Sequence, residues 1–248
     1  MSIYAIDGTE PLAVWIPSLD TAGNGTTTLT DLVGSNDTTL TNMDAGTDWV
    51  ADTGDGGVRR LDFDGSNDFC VAPVGLSITG AFTLSLWAKP AATGGLRMIA
   101  GRSMNASPWS QNYLLYMDGT QWKANVKIGG SYFTATGATV SVGTWQHVLM
   151  THDASTLTIE VDGVAASITA SGNATTSGSQ RFVIGAEWVS SGAGRFYEGA
   201  VDSVWLFDSA LSSGSKSKLR TSRSFLDATG APAQNAQHNN LRNIRMAP

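Results

Sequence analysis

Apolar and polar residues alternate in short runs along the chain, with turn residues between them, which is the signature of half-buried antiparallel strands. In "AFTLSLWAKP" the alternation sets Phe82, Leu84, Leu86 and Ala88 on one face and Thr83, Ser85, Trp87 and Lys89 on the other. "TLTIEVDG" repeats it with Leu157, Ile159 and Val161, then ends in Asp162-Gly163, a hairpin-turn dipeptide. "YLLYMDGTQWKANVKIGG" predicts a second hairpin about Asp118-Gly119, and "RFVIGAEW" and "GAVDSVWLFD" supply two further strands. Helical spacing occurs once, in "SALSSGSKSKLRTSRSF", where Ser209 or Ser212 is the expected N-cap and late basic residues complement the helix dipole.

The connections "GNGTTTLTD", "PAATGGL", "SGNATTSGSQ" and "VSSGAGR" are short and each leads into another strand, so they are expected as loops of one sandwich. In "LDFDGSNDF" Leu61 and Phe63 enter a strand, Asp64-Gly65 turns it, and Phe69 opens the next buried run. At 248 residues the chain fits one large all-β domain, expected over 1–225. From 226 to 248 large apolar residues almost vanish, which predicts an extended basic tail that gains order only against a partner subunit.

Composition narrows the chemistry. Charged residues make up only 15% of the chain and glycine occurs 28 times, which suits strands and turns better than long helices. Cys70 is the lone cysteine, so neither an internal disulfide nor a thiolate cluster is expected. The opening residues lack the basic start and apolar run of a secretory signal, and no stretch approaches a membrane span, so a soluble protein is expected, on a virion or extracellular surface by another route. Residues 216–248 carry about +5, leaving about −11 on the body of a chain whose net charge is −6. A basic end beside an acidic body is expected to pack on its own or a neighbouring subunit rather than on nucleic acid, through Arg220, Arg223, Arg242 and Arg245.

Seven segments resemble, in order, those of the laminin G-like, or concanavalin A-like, jelly-roll family: "LAVWIPSLD", "LTDLVGSND", "LDFDGSNDFCVAP", "FTLSLWAKP", "GTWQHVLMTHDASTLTIEVDGV", "FVIGAEW" and "FYEGAVDSVWLFDSALSS". The resemblance runs from about residue 12 to 219. It implies two antiparallel sheets in a curved sandwich, chain ends near each other, and a short helix after the last strand. Short strands, Gly-rich turns and eight tryptophans argue independently for the same all-β architecture.

The family includes glycan-cleaving enzymes, whose laminarinase-like branch carries E-x-D-x-x-E on one strand. In "EVDGVA" Glu160 and Asp162 match, but Ala165 stands where the second glutamate belongs and Gly163 turns the chain, so the carboxylate pair of a retaining glycosidase is broken. There is no nucleophile elbow, no phosphate-cradling loop and no dinucleotide fingerprint. His147 and His152 lie five apart on one strand and face opposite ways, so they cannot share a metal. A non-enzyme is expected, with an unusual glycoside hydrolase as the minor alternative.

Calcium is the candidate ion, because Asp, Asn and backbone carbonyls supply hard oxygens. The candidate ligands are Asp64, Asn67, Asp68 and Asp202, the last on the face of Val204 and Leu206 and so directed toward a core. Family relatives place calcium near such an aspartate and an early loop; the alternative is that each caps its turn or pairs with an arginine such as Arg195. Candidate sugar platforms are Trp109, Tyr113, Trp122 and Trp188, against core positions as the alternative. The combined expectation is a non-catalytic, lectin-like structural or adhesive component of a large assembly, such as a phage capsid or tail decoration; the alternative is a free carbohydrate-binding module, with or without calcium.

Overall fold

The structure is a computed structural model that describes residues 4–20, 27–44, 46–52, 58–103, 111–174, 180–189, 192–221 and 223. Among the described residues, eighteen strands and one helix follow in chain order: β1 (Ala13–Trp15), β2 (Thr28–Leu29), β3 (Thr38–Thr41), β4 (Trp49–Asp52), β5 (Val58–Asp64), β6 (Phe69–Val71), β7 (Phe82–Pro90), β8 (Leu96–Ser103), β9 (Gln111–Asp118), β10 (Gln121–Ile128), β11 (Ser131–Thr139), β12 (Gln146–His152), β13 (Thr156–Val161), β14 (Val164–Thr169), β15 (Arg181–Ile184), β16 (Glu187–Val189), β17 (Gly192–Gly194), β18 (Glu198–Phe207) and α1 (Ser213–Arg220).

Sixteen of the strands form two eight-stranded antiparallel sheets. The first runs β14-β13-β12-β7-β18-β5-β4, with β1 also on β18; the second runs β11-β10-β9-β8-β15-β6-β3-β2. Their facing sides meet in one core, in which Phe82, Leu84, Leu86, Leu157 and Ile159 of the first sheet pack on Tyr113, Leu115, Trp122, Phe182 and Ile184 of the second. Trp15 stacks on Phe182 with centroids 5.1 Å apart, tying β1 to the opposite sheet. The "LDFDGSNDF" segment crosses the sandwich, because β5 belongs to the first sheet and β6 to the second.

The alternation finds the inner face of β7 correctly, yet the other face of that strand is also largely buried. A second apolar cluster explains this: Ile6, Val14, Ile16, Leu149, Trp205, Phe207, Leu211 and Leu219 join the N-terminal segment and α1 to the outside of the first sheet. Ser212 is the N-cap of α1, accepting from the Ser215 amide, while Ser209 instead offers its carbonyl to Thr83. Asp7 accepts from Ser215 and pairs with Lys218, so the described N-terminal segment lies beside the helix.

Among the described residues, three hairpins close on two-residue tips with a glycine at positive φ, Gly129-Gly130 joining β10 and β11 among them. Asp162-Gly163 joins β13 and β14 as expected, whereas the β9–β10 turn slides by one residue, since Gln121 pairs with Asp118 and leaves Gly119-Thr120 at the tip. Among the described residues, no helix is long and apolar enough to cross a membrane.

Candidate functional site

The outer face of the second sheet carries the best-built polar surface. On β10, Trp122, Ala124 and Val126 enter the core, so Lys123, Asn125 and Lys127 face outward. Strand register then sets Val183, Gly101, Leu114, Asn125 and Thr134 in one row across five strands. Asn125 donates to Thr134 Oγ1 at 2.8 Å, while its own carbonyl oxygen is buried with no hydrogen-bond partner. Lys123 reaches Thr136 Oγ1, and the Lys127 ammonium sits over the Tyr132 ring.

The hairpin β16–β17 folds back over the β15 end of this row. Its turn into place depends on Gly185, whose amide donates to the Ile99 carbonyl and whose carbonyl accepts from Tyr197. Trp188 is fixed there by its backbone amide bonding Ser103 Oγ at 3.0 Å, with Phe69 edge-on and the Arg181 guanidinium 5.2 Å over its ring. Val183, Ala186, Ala193 and Phe196 complete the apolar patch. Glu187, nearly fully buried, is neutralised by Arg195. The result is a half-buried aromatic and an arginine at one end of the row and amides, hydroxyls and lysines at the other. Such a surface suits a neutral, hydroxyl-rich ligand, which needs one apolar platform and several fixed hydrogen-bonding groups.

Of the three described aromatic residues expected as platforms, Trp188 alone occupies this surface. Tyr113 and Trp122 are 0% exposed, and they are core residues with their polar atoms satisfied inside, Tyr113 on the Leu76 carbonyl and Trp122 on Gln146 Oε1. They cannot meet a ligand, and the inward phase of "QWKANVKI" already carries that signal for Trp122. Trp109 lies outside the described residues. Sequence reading missed Asn125, Lys123, Arg181 and Ser103; the first two were recoverable from alternation, the others depend on a hairpin fold-back with no local signal.

The expected calcium ligands do not converge. Asp64 pairs with Glu198, and Asp202 lies four residues further along β18, about 13 Å away. A bulge also reverses its direction: between Asp202 and Trp205 the ladder with β7 gains a residue at Ser203, whose φ is 55°. Asp202 therefore shares the outer face of the first sheet with Trp205, not the inner face with Val204 and Leu206. It lies 3.6 Å from the Arg223 guanidinium, which covers the Trp145 ring at 4.1 Å. Asp64 Oδ1 is engaged by the amides of Ser66 and Asn67, and Asp68 Oδ2 by the amide of Asp64. Asn67 offers its carbonyl to Asn42. Among the described residues, no three His, Cys, Asp or Glu side chains are placed to hold a metal ion.

The carboxylates of the turn differ in charge balance. Burial pulls Asp64 up, but its backbone amides outweigh that and hold it below the usual carboxylate range. Burial pushes Asp68 up to about 6, with Asp64 and Asp48 adding repulsion. Because the folded pKa exceeds the unfolded one, the native state binds more protons between about pH 4 and 6, and stability falls as pH rises through that window. Asp68→Asn is expected to raise unfolding free energy at pH 7, by at most about 3 kcal/mol, and to flatten the pH 4–6 slope measured by denaturant titration. An unchanged slope would assign it to another group.

The outer face of the first sheet holds a second polar cluster that is closed. Ser85 Oγ lies 2.8 Å from His147 Nε2, but both side chains are buried, and burial together with Arg220 pushes His147 down to about 3. His147 and Asp202 flank Trp87 on opposite neighbouring strands, about 10 Å apart, and Asp162 bonds the His147 backbone amide rather than its ring. Among the described residues, no side chain hydrogen-bonds the buried Nδ1 of His147, so the pair lacks the orienting partner that a nucleophile–base relay uses. Glu160 on the same face is held by Lys216 and Arg220. Arg220 and Arg223, expected to pack on their own or a neighbouring subunit, pair with acids of their own body; Arg242, Arg245 and the rest of 226–248 lie outside the described residues.

A family profile described as the concanavalin A-like lectin/glucanases superfamily matches residues 63–215. The chain belongs to this superfamily. The sandwich extends upstream of the match, since β1 to β4 lie before it and pair into the two sheets. Among solved structures, domain 4 of AbnA, a GH43 extracellular arabinanase from Geobacillus stearothermophilus in complex with arabinotriose, is 17% identical with a TM-score of 0.58, over 86% of this chain and 98% of that one. Trypanosoma rangeli sialidase in complex with sialic acid is 17% identical with a TM-score of 0.58, over 84% of this chain and 32% of that one. The binding domain of botulinum neurotoxin serotype D is 11% identical with a TM-score of 0.60, over 85% and 51%. At these identities the likeness is one of fold: a lectin-like β-sandwich. A search of curated proteins gives no match.

Proposed function

We propose that this chain is a non-catalytic, lectin-like module that binds glycans on the outer face of the second sheet and serves as an adhesive surface component of a larger assembly, such as a virion decoration. The observation that carries the reading is the face from Trp188 to Asn125, where an aromatic platform, three cationic groups and a buried, unpartnered amide oxygen come together. The similar arabinanase domain was solved with arabinotriose, which supports a neutral oligosaccharide as ligand class.

The non-catalytic part of the reading is supported by the pairing of three glutamates. Glu160, Glu187 and Glu198 each form an ion pair, with Lys216 and Arg220, Arg195, and Arg97 respectively. A glycosidase needs two carboxyl groups across an open cleft, one of them protonated. The test is a glycan array that includes arabino-oligosaccharides, probed with wild type and Trp188→Ala. Wild type is expected to retain a subset of neutral glycans and the variant to lose it; hydrolysis products in the wells, or no retention by wild type, contradict the reading.

A further inference from the structure

Three cations stand on the outer face of the second sheet: Lys123 and Lys127 on β10, and Arg181 on β15, where Phe182 and Ile184 take the inner face. Each is held by a neutral group. The Lys123 ammonium donates to Thr136 Oγ1 at 3.1 Å, the Lys127 ammonium lies 5.2 Å from the centre of the Tyr132 ring, and the Arg181 guanidinium lies 5.2 Å from that of Trp188. A hydroxyl or an aromatic face fixes a cation without neutralising it. Among the described residues, none of the three pairs with a carboxylate.

The chain carries 21 acidic against 15 basic side chains, so carboxylates are in excess. Elsewhere cations take them: Arg97 pairs with Glu198, Arg195 with Glu187, and Arg220 with Glu160. Within β8 to β11 and β15 the one carboxylate is Asp118, at the end of β9 and opposite Gln121. Lys127 is six residues from Gln121 along β10, about 20 Å away. Lys123 is nearer, but its ammonium turns away from β9 to Thr136 on β11. The face is therefore locally positive on an acidic protein.

We propose that this face selects oligosaccharides bearing an oxyanion, a carboxylate or a sulfate, over their neutral counterparts; the inference rests on the glycan reading above. Lys123 and Lys127 stand four residues apart on β10, about 13 Å, with the Asn125–Thr134 pair between them. A sugar chain laid across that pair brings ring substituents toward one ammonium or the other. A neutral chain uses Trp188 and the hydroxyls and leaves all three charges unmatched. An acidic substituent matches at least one of them, in a charge-assisted hydrogen bond to a cation already held in place. One exposed ion pair strengthens binding by at most roughly fivefold, and salt screens it.

An array tests this in the full-length chain when each neutral backbone is printed beside a uronate and a sulfated counterpart. The readout is the ratio of acidic to neutral retention, which cancels any change common to both. Wild type is expected to give a ratio of about three or more at about 50 mM salt, for uronate, sulfate or both, falling toward one at about 500 mM. Lys123→Gln with Lys127→Gln is expected to bring the low-salt ratio near one, and Lys123→Arg with Lys127→Arg to keep it, with unfolding midpoints matching wild type. A wild-type ratio near one overturns the proposal, as does an excess that the double glutamine variant retains. Neutral retention at a ratio near one removes this inference and leaves the glycan reading standing, whereas no retention of any glycan removes both.

Discussion

Gly185→Ala is expected to lower the unfolding free energy by about 2–5 kcal/mol and to remove glycan binding with it. Gly185 stands at φ +87°, and an added Cβ would lie 2.4 Å from the Phe63 ring. That ring is anchored in β5, beside Tyr197 at 6.3 Å, and has no room to withdraw from the sandwich core. The left-handed backbone and the steric overlap therefore add at one position. Their consequence reaches the candidate site, because Gly185 bonds both Ile99 and Tyr197 and so sets the path of β16–β17 over the second sheet. Denaturant unfolding measures the first effect and affinity for an array-identified glycan the second. A variant within about 0.5 kcal/mol of wild type would show that the hairpin path tolerates a side chain here.

Trp188→Ala is expected to weaken glycan affinity at least tenfold while leaving the sandwich folded. Trp188 touches Phe69 and Arg181 at the surface and contributes nothing to the inter-sheet core, so its loss costs far less stability than loss of a core aromatic such as Trp15. Its partial burial still fixes the ring, and a fixed apolar platform loses little entropy when a ligand stacks on it. Unfolding midpoints separate this outcome from that of Gly185→Ala: affinity falls in both variants, stability mainly in the glycine variant.

Much of the fold is legible in the sequence because a period of two reports burial directly. Leu84, Leu157 and Ile159 enter the core as the alternation requires, and Asp162-Gly163 turns where the dipeptide says. Ser212 caps the helix for a local reason that any reader of the segment can find. The candidate site is less legible. Asp202 shows why: one extra residue at Ser203, with no glycine or proline at or beside it to mark the bulge, exchanges the two faces and moves a supposed core carboxylate to the outside. Tyr113 and Trp122 show the complementary difficulty, since the residue types that make sugar platforms also fill the cores of sandwiches. Arg220 and Arg223 belong to the same lesson. Clustered cations in sequence are evidence for an acidic counterpart, and here that counterpart is Glu160 and Asp202 of the same chain.

The central claim is that one face of the sandwich, the outside of the second sheet, takes the glycan. Calorimetric titration of an array-identified oligosaccharide into wild type, Trp188→Ala and Trp87→Ala compares the two outer faces, since Trp87 stands on the first sheet beside His147. The account predicts at least a tenfold loss for Trp188→Ala and wild-type affinity for a folded Trp87→Ala. Loss at Trp87 with retention at Trp188 would contradict it and move the site to the opposite sheet.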